Sequence, residues 1–143
     1  MEIRSTDYEE AVQVLGRISE FSHEETVESL KQRIGRRPHL VLVAEKDGEL
    51  LGVKIGYQLD DDCFYSWLGG VVPEGRRQGV ANALLIHQEL WAREKGYKEI
   101  RVKSRNRFAP MLCMLLNNGY QVEHLEKKDG IEDYRLHFVK HLI

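Results

Sequence analysis

The sequence predicts an α/β fold: a mixed, mostly antiparallel twisted sheet flanked by helices, with one right-handed βαβ crossover at its centre. Three observations carry this expectation. Apolar residues recur at helical spacing in four segments and at strand spacing in seven. Asp47-Gly48 and Asp129-Gly130 read as hairpin turns, which make their flanking strands antiparallel. Between residues 63 and 103 a strand, a loop, a helix and a return strand follow one another, the order of a parallel crossover. At 143 residues the chain is expected to be one domain, 1–143, with enough core to stand without staples.

Residues 2–4 read as a short first strand. Asp7 can cap a helix running to about residue 20, with Ala11, Val12, Leu15 and Ile18 on its apolar stripe. Ser22 is the expected cap of a second helix through Val27, Leu30 and Ile34, ending near Gly35. The period then shortens. Residues 40–45 and 51–59 read as hairpin strands, 60–62 as a charged turn, and 63–72 as a long strand. Gly69 and Gly70 inside that strand signal a bulge or a close approach. The next helix carries Val80, Ala83, Leu84, Leu90 and Trp91 on one side, with His87 packed there too, and Gly96 stops it. Residues 99–103 are the return strand. A fourth helix follows over about 107–117, its Met111, Leu112, Leu115 and Leu116 expected in the core. Strands 120–126 and 132–141 close the fold.

Composition narrows the function classes. The net charge is −2, so no global basic field points to nucleic acid. The basic alternation in residues 101–107, RVKSRNR, reads as a solvated strand face. No apolar run approaches the ~20 residues that span a bilayer. The acidic start lacks a signal-peptide pattern, and the expected location is cytoplasmic. Cys63 and Cys113 have no metal-type spacing, nor do His23, His39, His124, His137 and His141, so no metal site is expected.

The most informative stretch is residues 71–85, VVPEGRRQGVANALL. It reads as a strand broken at Pro73, a short loop, and a helix opening at Gly79. The first N–H groups of a helix lack intrahelical partners, and the dipole adds positive charge there. A phosphate suits such a place. Gly79 lets a ligand approach the backbone, Ala81 keeps the next ridge low, and Arg76 and Arg77 add charge. The residues describe a pyrophosphate cradle; an ordinary strand-to-helix turn with two solvated arginines is the alternative. The Gly-Lys-Ser/Thr of a P-loop and the Gly-x-Gly-x-x-Gly of a dinucleotide site are both absent.

Val71, Pro73, Arg76, Gly79 and Ala81 match the pattern Val-x-Pro, spacer, Gln/Arg-x-x-Gly-x-Gly/Ala. In this, and in its element order over nearly the full chain, the sequence resembles the GNAT superfamily of acyl-CoA N-acyltransferases. The resemblance implies a GNAT-like sheet and acetyl-CoA, or coenzyme A, as cosubstrate. It places the cofactor against Gly70, Val71, Val72, Arg76, Arg77, Gln78, Gly79, Val80, Ala81, Asn82 and Asn106. It further implies that the strands on either side of the cradle helix splay apart to admit the pantetheine arm. A backbone N–H near Gly70 or Val71 then faces the thioester oxygen, and Arg105 or Arg107 meets the adenosine 3′-phosphate.

The implied reaction is acetyl transfer to a primary amine, on a small molecule or peptide, by direct attack in a ternary complex. The chain departs from the family at one catalytic position. Many members place a Tyr four residues before a Gly-aromatic pair; here the pair is Gly119-Tyr120 and the residue is Leu115. Tyr65, where some members carry a Glu base, is the catalytic candidate, with Trp67 beside it in the acceptor pocket; Cys113, Tyr134, a water, or no specific acid at all are the alternatives. The leading alternative is a non-catalytic acyl-CoA-binding or regulatory module. A homodimer is in keeping with families of this kind.

Overall fold

The computed structural model describes residues 1–21 and 24–142. Its strands are β1 (Glu2–Ser5), β2 (His39–Lys46), β3 (Glu49–Gln58), β4 (Cys63–Val71), β5 (Glu99–Arg105), β6 (Gln121–Glu126) and β7 (Arg135–His141). They form one sheet in the order β1-β2-β3-β4-β5-β7-β6, antiparallel throughout except between β4 and β5. The helices are α1 (Tyr8–Leu15), α2 (Val27–Ile34), α3 (Val80–Glu94) and α4 (Ala109–Asn117). The mixed, mostly antiparallel α/β fold with its central crossover is therefore as expected.

Several boundaries move, each for a local reason. α1 stops at Leu15 because Gly16 weakens the helix. The chain leaves through tighter bonds, Arg17 N–H to Val14 O and Ile18 N–H to Leu15 O. Ile18 is still buried, but from a turn. α2 is capped by Thr26: its Oγ1 accepts from Ser29 N–H at 3.0 Å, while Ser29 Oγ accepts from Thr26 N–H at 2.8 Å. The expected cap, Ser22, lies outside the described residues, as does His23. α4 begins at Ala109, with Pro110 in the first turn, where its missing N–H costs nothing.

The sheet is covered on both faces. Ala11, Val14, Leu15, Leu30 and Ile34 of α1 and α2 are buried on one side. Val80, Leu84, Leu85 and Ala92 of α3 are buried on the other, with Leu115 of α4. At about 1.5–3 kcal/mol for each large side chain, this burial supplies most of the stabilisation. Gly52 makes the seat for α3: a Cβ there would stand 2.8 Å from Val80 Cγ1.

Three expected core positions are corrected. His87 is exposed, and Leu90 and Leu116 are 52% and 55% exposed. α3 is rotated so that Gln88 and Glu89 face inward instead. Among the described residues no helix is long and apolar enough to cross a membrane.

Candidate functional site

β4 and β5 are paired only over Cys63, Phe64, Tyr65 and Ser66, opposite Glu99, Ile100, Arg101 and Val102. Beyond that seam the two strands part. β3 continues to pair with β4 up to Val71, and β7 with β5 up to Arg105. The facing edges of Trp67–Val71 and of Lys103 onward thus lack each other as partners. The gap begins where the register of β3 on β4 jumps from Ile55↔Leu68 to Gly56↔Ser66. The extra residue is Trp67, so the bulge lies there and not at Gly69-Gly70. Those glycines mark a close approach, made by side chains. A Cβ at Gly70 would sit 2.8 Å from Ile18 Cδ1, and one at Gly69 would sit 3.1 Å from Lys54 Nζ.

The cradle stands at the far end of β4. Val72 is fully buried and its N–H donates to Leu51 O, which anchors the strand end. A single turn, Pro73–Gly75, then redirects the chain. Arg77 at φ 64° and Gly79 at φ 76° are both left-handed, and α3 begins at Val80. Ala83 N–H bonds Gly79 O, but the N–H groups of Arg77, Gln78, Gly79, Val80, Ala81 and Asn82 have no acceptor among the described residues. Six successive donors at a helix start, with alternating backbone hand, make a concave anion nest. Gly79 leaves it open, since a Cβ there would meet nothing within 4 Å.

The side chains around the nest are less open than the sequence implies. Arg76 pairs with Glu20 and its Nε donates to Val71 O at 3.4 Å. That pairing holds the Glu20 carboxyl below its usual range. Gln78 Nε2 donates to Glu74 O, and Asn82 Oδ1 accepts from Asn118. Arg77 stays exposed and unpaired among the described residues. The loop is therefore latched to the segment after α1, which also carries Ile18 and Phe21 over Gly70.

On the α1/α2 face of the gap lies an aromatic floor. Tyr57 meets Tyr65 edge-on at 5.5 Å and Trp67 at 5.8 Å between centroids. Burial pushes the Tyr65 phenol above its ordinary value, with Tyr57 adding to the shift. Its hydroxyl takes no hydrogen bond from any described residue, yet is not sealed from solvent. A neutral phenol at the mouth of the gap can donate a proton; it is a poor base. Arg33 lies 5.0 Å from the Trp67 ring and donates to Tyr57 Oη, and Lys103 Nζ lies 5.7 Å from Tyr65.

Behind the gap, on the α3 face, polar groups are buried. Lys54 is 4% exposed and has no hydrogen bond or ion pair to any described residue. Burial lowers its amine to about 8, against a weaker opposing pull from Glu89. Both amide atoms of Gln88 and the Ser66 hydroxyl are buried without partners among the described residues. Glu89 is satisfied, accepting from Tyr120 Oη at 2.8 Å and Lys140 Nζ at 2.9 Å. Polar residues on an apolar stripe carry no periodic signal, and sequence reasoning missed all of these.

The remaining candidates sit as follows. Leu115 is fully buried and offers no hydroxyl. Asn106 secures the turn before β7, its Nδ2 donating to Ile131 O at 2.8 Å. Arg101, Arg105 and Arg107 are each paired with carboxylates, Arg105 and Arg107 sharing Asp133. Cys63 is buried and its thiol pushed up to about 11, while Cys113 is exposed; both are free. Among the described residues no group of His, Cys, Asp and Glu could hold a metal.

A sequence profile described as "Acetyltransferase (GNAT) family" matches residues 2–110, from β1 through the seam and cradle into α4. No curated protein matches the chain in sequence. Solved structures match its fold. The ribosomal-protein-S18-alanine N-acetyltransferase of Escherichia coli aligns with TM-score 0.84 at 18% identity, over 99% of this chain and 93% of that one. Ard1 from Thermoplasma volcanium aligns with TM-score 0.80 at 16% identity, over 99% and 97%. A GNAT family acetyltransferase from Elizabethkingia anophelis, solved with acetyl-CoA bound, aligns with TM-score 0.78 at 17% identity, over 99% and 97%.

Proposed function

The chain belongs to the GNAT family of acetyltransferases, and from that premise we propose that residues 1–143 form one domain that transfers an acetyl group from acetyl-CoA to a primary amine. The observation that carries the reading is the run of six unpartnered N–H groups at the mouth of the β4–β5 gap. Acetyl-CoA fits this place because the nest is open at Gly79 and offers donors to a pyrophosphate. Residues 76–82 would hold the phosphates, and the free edge of β4 at Gly70 and Val71, with Val72 just beyond it, would hold the pantetheine arm. Acetyl-CoA supplies the activated acyl group.

The chain's own residues do the rest. N–H groups of β4 that do not reach β3 point into the gap, where one near Gly70 or Val71 can polarise an acyl oxygen. Tyr65, kept protonated by burial, stands ready to give a proton to the departing sulfur. Among the described residues we find no activated nucleophile at the gap, which favours direct attack by the amine in a ternary complex.

Calorimetric titration with acetyl-CoA tests the reading. Stoichiometric binding by the wild type, lost in a folded Gly79→Val variant, is the expected result. Val is strained at φ 76° and fills the space left for the ligand. Equal affinity in the two proteins would remove the cradle from the site. A second reading, an acyl-CoA-binding module without turnover, is favoured by one observation only, the buried Leu115 where a phenol is usual. Acetyl transfer to any amine excludes it.

A further inference from the structure

On the aromatic floor, positive charge comes from two sides, and the carboxylate that acts on the same phenol, Glu126, is shared with His137 and Lys128. Arg33 reaches in from the end of α2, its Nε occupied by Tyr57 Oη and its remaining N–H groups unpaired among the described residues. Arg37 lies 4.2 Å from the Tyr57 ring centroid. From the other side, Lys103 of β5 stands over Tyr65, and Arg135 of β7 acts on the same phenol. None of these four forms an ion pair with a described residue. The nearby acids are already engaged: Glu126 with His137 and Lys128, Asp133 with Arg105 and Arg107, and Glu99 and Glu123 with Arg101.

A free cation such as a diamine would meet repulsion here. A planar carboxylate would find the open edge of a guanidinium, suited to paired N–H donors, and a lysine over the neighbouring Tyr65 ring. Resting on the acetyltransferase reading above, we propose that the acceptor is a primary amine whose own molecule carries a carboxylate, bound by Arg33, Lys103 and Arg135. The same positive field favours the neutral, nucleophilic form of the amine. It thereby does part of the work of a carboxylate base, which the chain lacks at Tyr65.

The test is turnover of matched pairs: L-alanine against L-alaninamide, 4-aminobutyrate against its amide, and C-terminally amidated tetrapeptides beginning Ser-Glu against Ser-Gln. 1,4-Diaminobutane completes the set. The free amino acids and the peptides separate a small-molecule carboxylate from one on a protein N-terminus. In at least one pair the carboxylate member should show kcat/KM about tenfold or more above its amide, the factor that one charge-assisted hydrogen bond supplies. Arg33→Gln and Lys103→Gln should shrink that ratio while acetyl-CoA affinity is unchanged. Preference for amides or the diamine overturns the proposal. So does refusal of every carboxylate by protein that binds acetyl-CoA. Failure of the wild type to bind acetyl-CoA would instead sink the acetyltransferase reading.

Discussion

Replacing Lys54 by Met should stabilise the protein. The Lys54 side chain is buried between α3 and the sheet, its Nζ 3.1 Å from where a Gly69 Cβ would stand, with no hydrogen bond or ion pair to any described residue. Its amine falls from 10.5 to about 8, desolvation being the first cause. Below about pH 8 both folded and unfolded chains bind the proton, and folding carries the full cost of burying the charge. Between about 8 and 10.5 the unfolded chain holds a proton that folded Lys54 has released, so wild-type stability rises with pH across that window. The displacement corresponds to about 3 kcal/mol at neutral pH. Met keeps the length and fills the same volume, so Lys54→Met should gain about that much at pH 7. By pH 10.5 the gain should have largely vanished. Urea unfolding of both proteins at pH 7, 9 and 10.5 measures it. A variant no more stable at pH 7, or a gain independent of pH, would refute the account of a desolvated amine.

Tyr65→Phe removes the phenol without removing a hydrogen bond, so the midpoint of thermal unfolding should hardly move. If Tyr65 is the proton donor, kcat should drop about a hundredfold at unchanged acetyl-CoA affinity; kcat within twofold of wild type would discard it. Tyr120→Phe leaves the buried Glu89 with Lys140 alone, and denaturant unfolding should show a loss of about 1–3 kcal/mol. Leu115→Tyr forces a ring and a hydroxyl into a fully buried site. A loss of about 1–3 kcal/mol is expected, and a variant as stable as wild type would mean that α4 has room to spare.

What the sequence made legible is what local chemistry controls. Pro73 and Gly79 announce a break and a left-handed cap whatever surrounds them, and the cradle followed from those two. Asp47-Gly48 gave the β2–β3 hairpin in the same way. Tertiary choices were hidden. Two faces of α3 were nearly equal in apolarity, and which one turned inward depended on Gly52 and Phe64 of the sheet it packs on. Trp67 carries no mark of a bulge, while the neighbouring glycines drew attention to themselves for another reason. Arg33 became a site residue only because α2 ends above Tyr57, a contact 24 positions away in sequence.

The seam between β4 and β5 joins two systems that are each held by long antiparallel pairings. One is the meander of β1 to β4; the other is the trio of β5, β7 and β6. Among the described residues, four rungs of parallel ladder connect them, with Lys98 and Glu99 N–H bonding Asp62 O at the start. That makes the seam a fulcrum. A slight rotation about Ser66 and Val102 would move the strand ends beyond the seam the most, so the width of the mouth is expected to depend on packing at the seam itself. Substitutions at Phe64 or Ile100, both wholly interior, should then change turnover through that angle, without altering a lining group.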